Sequence, residues 1–352
     1  MRAVVFEEFG ELPLVREVAD PLVPEDGALV RVAATGLCRS DWHGWQGHDD
    51  AIALPHVPGH EFAGQVVAVG PGVTRWHGGE RVTAPFVCAC GRCAACLRGD
   101  QQVCERQQQP GFTHWGSFAD LVAVHHADVN LVALPEAMPY TAAAALGCRF
   151  ATAYRAVVAQ GRIRPGEWVA VHGCGGLGLS AVMVAVSCGA RVVAVDPSPE
   201  ALGLAATLGA QVCLAPGGSV QDTAREVREA TEGGAHVSLD ALGAADICAA
   251  SVLGLRARGR HVQVGLLATG TVQVPMGRVI ALELELLGSH GMAAHAYPEM
   301  MGQIAAGTLR PGDLVGEVIP LDAAPAALAA MSTASPAGIT VITPHDTPSQ
   351  PA

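Results

Sequence analysis

The chain has 352 residues and a mass of 36.0 kDa, enough for two domains of ordinary size, and sets 21 Lys+Arg against 33 Asp+Glu for a formal net charge of −12. All 21 basic residues are arginine, which excludes a Schiff-base lysine, a pyridoxal-phosphate anchor and a phosphate-loop lysine. The acidic balance excludes a basic nucleic-acid or anionic-membrane surface, and a hydrophobic fraction of 50% with mean hydropathy +0.32 excludes a disordered chain.

The N-terminal MRAVVFEEFGE puts an acidic pair where an export signal needs its apolar run, so the expected location is cytoplasmic. Short β-type runs follow at Arg2–Phe6, Ala28–Ala34, Glu61–Val69 and Arg81–Phe86, broken by Gly and Pro, and read as a compact, irregular β domain. From about Gly166 to Gly291 the texture changes. Apolar strands are expected at Trp168–His172, Arg191–Val195, Val212–Leu214, His236–Asp240, Arg260–Gly265 and Leu284–Gly288. Helices are expected at Leu177–Ser187, Pro199–Leu208, Val220–Thr231 and Ala244–Leu253, with weaker helical character over Leu266–Ala281. Six near-continuous apolar strands with helices between them predict an α/β, doubly wound parallel sheet covered on both faces. Beyond Met292 come a helix near Tyr297–Ala306, a Pro-rich link, an Ala-rich helix, a closing strand Gly338–Thr343 and a polar tail, PHDTPSQPA, expected to fray.

The strongest local signal in the first part is Cys90-x2-Cys93-x2-Cys96-x7-Cys104, within a lobe of about 88–106. Four thiolates so spaced wrap one tetrahedral Zn²⁺ and leave no position for a substrate, so the cluster reads as structural. An iron–sulfur cluster also takes four cysteines, but with other spacings and a following proline. Cys88 falls just outside the spacing.

In the second part, Val169-Ala-Val-His-Gly173-Cys-Gly175-Gly176-Leu177-Gly178 runs from a strand through GxGxxG into a helix. Glycines there let backbone approach a pyrophosphate, which rests on the free N–H groups of the helix start. Asp196, 18 residues after Gly178 at the end of the next strand, suits a ribose 2′-hydroxyl and repels a 2′-phosphate, and no basic residue follows until Arg225. The expected cofactor is therefore NAD rather than NADP.

A more dispersed set comprises Cys38-Arg39-Ser40-Asp41-Trp42-His43, Gly59-His60-Glu61 and Gly147-Cys148-Arg149-Phe150. Spacing alone does not assemble it. Together with the four-cysteine lobe and the glycine loop, however, these motifs resemble the zinc-dependent medium-chain alcohol dehydrogenases over nearly the whole chain. The resemblance implies a GroES-like β domain from residues 1–149 and 292–352, with a Rossmann domain, 150–291, inserted between them. It further implies Cys38, His60 and Cys148 as ligands of a catalytic zinc, hence two Zn²⁺ per chain. Glu61 matches a glutamate that approaches that metal, or else is a salt-bridged buried acid. Ser40 and His43 match a proton relay and Asp41 a residue that orients a ligand. Arg39 matches a contact to the cofactor pyrophosphate and Thr152 a threonine beside the nicotinamide. Gly265, Leu266, Ser289, His290 and Gly291 match positions touching the nicotinamide half.

The activity so implied is reversible NAD-dependent, zinc-dependent oxidation of a primary or secondary alcohol to an aldehyde or ketone, by a homo-oligomer, tetramer or dimer. Trp42, Trp45, His114 and Trp115 add bulk to segments bordering the family's substrate site and favour aromatic or medium-sized apolar substrates. Two rivals stand beside this reading: a carbonyl or iminium reductase with structural zinc only, and a non-catalytic NAD-binding sensor.

Overall fold

The computed structural model describes residues 1–267, 271–333 and 337–345. The chain divides into two units, one of Met1–Ala151, Gly291–Gly302 and Arg310–Ala352, the other of Thr152–His290 and Gln303–Leu309.

In the first unit, the strand Ala28–Leu37 is central. It pairs antiparallel with Phe62–Val69, with Leu121–Val124 and with the closing strand Ile339–Thr343. The sheet continues from Phe62–Val69 to Arg81–Thr83 and Val132–Ala133, and from Ile339–Thr343 to a parallel edge, Val315–Pro320. Irregularities at Leu29/Val30 and Val32/Ala34 bend the central strand. That strand runs three residues beyond the expected end at Ala34, up to the residue before Cys38. Among the apolar clusters of the unit are one around Val30, Phe62, Val66 and Trp76, one around Phe6, Trp45, Phe112 and Phe118, and a smaller one around Ala3, Val5, Val57 and Ala119. The 90–104 lobe has its own cluster, and it is thin: Ala89, Ala95 and the four cysteines themselves.

The second unit holds the six-stranded parallel sheet that the alternating pattern predicts. Its spatial order is Val212–Leu214, Arg191–Val195, Trp168–His172, Ala235–Asp240, Leu255–Gln263, Glu285–Gly288. The order reverses between the first and fourth of these strands in sequence, the place where such sheets leave room for a ligand at their carboxyl ends. Gly176–Ser187 is buried over most of its length, which explains why apolar residues ring it on all sides. Pro199–Thr207 and Val220–Ala230 start at Ser198 and Ser219, whose hydroxyls accept the N–H of Ala201 (3.2 Å) and Asp222 (3.1 Å).

Two expectations shift. The fifth strand begins at Leu255 rather than Arg260; its first half, Leu-Arg-Ala-Arg, is charged, and a register break with Arg258 at φ 62° hides it from any apolar pattern. Within Leu266–Ala281 the helix covers only Met276–Ala281, and 268–270 lie outside the described residues, as does most of the tail expected to fray, 346–352. No helix among the described residues is long and apolar enough to cross a membrane.

Candidate functional site

Three separate segments of the first unit converge on one point. The central strand ends at Leu37 and delivers Cys38 as the N-cap of a short helix, Arg39–Trp45. His60 and Glu61 immediately precede the strand Phe62–Val69. Cys148 lies in a wide helical turn, Leu146–Phe150, inside a helical run from Tyr140 to Gln160. One ligand atom each from Cys38, His60, Glu61 and Cys148 lies within 4.8 Å of all the others.

Asp41 organises this group. One oxygen accepts the Cys38 N–H (2.9 Å), and the other accepts His60 Nδ1–H (2.8 Å) and the Gly59 N–H (3.0 Å). Burial disfavours the charged imidazole, but the Asp41 charge and hydrogen bond raise His60 well above its ordinary value. With Nδ1 committed as donor, Nε2 is the free ligand atom, and it is buried with no hydrogen-bond partner among the described residues. An imidazole nitrogen sealed from water and unpaired is a deficit that a metal ion removes. A contact from the Cys148 thiol, opposed by burial and helped by Arg149, holds Cys38 well below the usual thiol range, and the same contact raises Cys148 well above it. Two sulfurs and one oriented imidazole fit Zn²⁺ with a position left open.

Glu61 has an oxygen within this group and is at the same time an ion-paired buried acid. It is fully buried and paired with Arg149, which donates through its backbone N–H (2.8 Å), Nε (2.9 Å) and Nη2. Burial raises Glu61 and the Arg149 charge opposes that rise. Gly36 packs against this pair, and a Cβ there would collide with Glu61 Oε2. Neither Arg149 nor Gly36 carries a sequence signal for this role, since Glu61 and Arg149 are 88 residues apart.

The helix Arg39–Trp45 also presents Ser40, half-buried, and His43, whose Nδ1 lies 3.0 Å from Nδ1 of His48. Arg39 donates to the Met331 carbonyl and lies over the Trp42 ring at 5.0 Å. Trp45 is buried in the core, and Trp115 packs beside Ala3, Val57 and Ala119 with its indole N–H on the Pro55 carbonyl (3.0 Å). Both are therefore absorbed by packing, and the substrate-size preference loses them as support. His114 likewise faces inward, its Nε2 3.1 Å from the Ala123 carbonyl.

In the 90–104 lobe, sulfur–sulfur separations are 3.4 Å (Cys93–Cys96), 3.7 Å (Cys93–Cys104) and 4.0 Å (Cys90–Cys96). The corners of a tetrahedron with Zn–S of about 2.3 Å are about 3.8 Å apart, so the donor set fits one zinc. The N–H groups of Cys90 (3.3 Å) and Arg106 (3.4 Å) donate to Cys104 Sγ, as they would to a thiolate. Cys88 stands apart, its thiol pushed up to about 12 by burial.

In the second unit the glycine loop turns at Gly173 (φ 89°) and caps the helix Gly176–Ser187 with Gly175. A Cβ on Gly175 would meet nothing within 4 Å, whereas one on Gly178 would strike the Gly173 carbonyl. The loop is thus closed beneath and open above, and with Gly176 and Leu177 it offers unpaired N–H groups to an anion. Asp196 lies against it, accepting the Cys174 N–H (2.7 Å) and the Ser198 N–H (2.8 Å). Gly265 packs backbone to backbone on Leu242–Gly243, and Leu266 is 64% exposed. Ser289 donates its N–H to the Gln263 carbonyl (3.0 Å), with His290 exposed beside it. Thr152 is buried, and its Oγ1 has no hydrogen-bond partner among the described residues. Gly291, at φ 57°, falls in the first unit.

Residues 24–136 match the alcohol dehydrogenase GroES-like domain family, and residues 176–306 match the zinc-binding dehydrogenase family. An alcohol dehydrogenase of Geobacillus stearothermophilus is 40% identical over 204 residues, 57% of this chain and 60% of that protein. Among solved structures, alcohol dehydrogenase TADH from Thermus sp. ATN1 is 34% identical with a TM-score of 0.88, covering 97% of this chain and 99% of its own. An NAD-dependent alcohol dehydrogenase is 30% identical with a TM-score of 0.88, over 97% and 99% of the two chains.

Proposed function

Because this chain belongs to the zinc-dependent medium-chain dehydrogenase/reductase family, we propose that it oxidises a primary or secondary alcohol to an aldehyde or ketone, reversibly, with NAD and two zinc ions per chain. In this reading residues 1–149 and 292–352 hold both metals, and 150–291 hold the dinucleotide. The observation that carries the reading is His60 Nε2: buried, unpaired and aimed at a point it shares with two thiols, while Asp41 fixes the other ring nitrogen. A structural-zinc-only reductase has no use for that arrangement.

The chain's residues divide the work. Cys38, His60 and Cys148 would hold one zinc, and Cys90, Cys93, Cys96 and Cys104 the other. When bound, the catalytic zinc lowers the proton affinity of an alcohol oxygen and the nicotinamide ring accepts hydride. The alcohol proton leaves through the Ser40 hydroxyl and His43. Arg149 neutralises Glu61 beside the two thiols, which would otherwise add a third buried negative charge. The glycine loop, Gly173 to Gly178, receives the pyrophosphate, and Asp196 receives the ribose hydroxyls. Thr152 Oγ1, Gly265, Leu266, Ser289 and His290 serve the nicotinamide half.

The test is a panel of alcohols with NAD, read by absorbance of the reduced cofactor, paired with metal analysis. Turnover that a chelator abolishes and two zinc per chain support the reading. One zinc per chain, or turnover indifferent to Cys38→Ser, would overturn it; NAD binding without turnover of any alcohol would favour a sensor.

A further inference from the structure

Two imidazole nitrogens of the same kind face each other at the surface of the first unit: Nδ1 of His43 and Nδ1 of His48, 3.0 Å apart. At that separation one nitrogen must carry a hydrogen and the other must not, since two bare lone pairs or two N–H groups would repel. The pair therefore holds one proton between its rings. Trp42 fixes the arrangement. Its indole stands edge-on to both imidazoles, with centroids 4.9 Å from His43 and 5.8 Å from His48, and is itself tied by its N–H to Ser332 Oγ (2.9 Å) and covered by the Arg39 guanidinium. His43 is half-buried and His48 exposed, so the pair leads outward.

We propose that His48 is a second step of the proton relay, taking the alcohol's proton from His43 and releasing it to water; this rests on the reading of Ser40 and His43 given above. One proton enters the His43 ring at Nε2, one crosses from its Nδ1 to Nδ1 of His48, and one leaves the His48 ring to water. No other bond changes, and rotation of the rings restores their tautomers between turnovers. The groups acting on His43 are consistent with a station that does not keep its proton: burial lowers its pKa, His48 and Arg39 lower it further, and only the Cys38 sulfur opposes them. Because His48 acts through His43, it is a relay residue rather than a catalytic one.

The experiment compares wild type, His48→Gln and His43→Gln in NAD-dependent oxidation of ethanol and benzyl alcohol. It reads kcat across the pH range, stopped-flow proton release with an indicator dye, and rescue by added imidazole. For His48→Gln, proton release and kcat should fall roughly tenfold on the acid side of neutrality. The deficit should shrink as pH rises, imidazole should restore the rate, and KM for NAD should stay at the wild-type value. A His48→Gln profile identical to wild type while His43→Gln is impaired and rescued overturns the role of His48 and leaves the shorter relay standing. A loss that is uniform across pH and indifferent to imidazole also overturns it, since that is the signature of a ring that merely orients His43. If neither variant differs from wild type, the relay reading falls with it.

Discussion

Asp41 divides its two oxygens between the Cys38 backbone and the His60 ring, so a single carboxylate sets the position of Cys38 and the tautomer of His60. Asp41→Asn keeps the shape but puts an N–H₂ against groups that also donate. Zinc affinity should fall about 10–100-fold, read as loss of one zinc per chain under mild chelation. Arg149 and Glu61 form a buried ion pair, and Arg149→Met leaves the carboxylate unpaired among thiols. Stability should drop by about 3–5 kcal/mol in denaturant unfolding, while Glu61→Gln with Arg149→Met should recover part of it. At this scale the sequence is legible where residues sit in compact motifs. Cys38 and the helix Arg39–Trp45 follow one another, and His60 precedes a strand. Arg149 and Gly36 were not legible, because their meaning lies in contacts between segments that only the folded chain brings together.

The glycine loop, as an element, depends on a contact that excludes any side chain. Gly178→Ala would drive a Cβ into the Gly173 carbonyl and deform the turn, so NAD binding measured by fluorescence should weaken at least tenfold with zinc content unchanged. Asp196 accepts two backbone N–H groups of this region, so Asp196→Ala should relax the preference for NAD over NADP in kcat/KM; an unchanged ratio would count against the ribose contact. Strands with unbroken apolar runs, such as Trp168–His172 and Arg191–Val195, were readable to the residue. The charged start of Leu255–Gln263 was not, because its first half is carried by a register break rather than by burial of alternate residues. The helical run from Tyr140 to Gln160 was equally hidden. Its wide turns do not repeat every 3.6 residues; Cys148 lies in one of them, and Thr152 in the regular segment Ala151–Arg155 between the two.

Across the whole molecule, stability should respond to pH and to metal. His172 ends the first strand of the parallel sheet, fully buried with neither ring nitrogen paired among the described residues, and burial, aided by His261, pushes its pKa down to about 3. The native ring stays neutral, whereas the unfolded chain binds a proton once the pH falls below the ordinary 6.5. The stability this group allows is therefore whole above that value and is lost as pH falls towards 3, by about 2 kcal/mol at about pH 5. Urea unfolding of His172→Leu should show a shallower acid limb than wild type. The 90–104 lobe has little besides its cysteines to bury, so Cys96→Ser should cost one zinc and open the lobe to proteolysis while the Cys38 site stays loaded. The closing strand sets a different kind of constraint. Thr340, Val341 and Ile342 pair with Leu37, Gly36 and Thr35, so the strand that leads into Cys38 is completed by residues about 300 positions later. At ribosomal rates of about 5–20 residues per second, that thiol waits about 15–60 s for its partners. The lobe closes within 15 residues, Cys90 to Cys104. In the two-zinc reading proposed above, the two centres would differ in timing: the four cysteines of the lobe are complete early, whereas the sheet edge that leads into Cys38 is closed only when Ile339–Thr343 has been made.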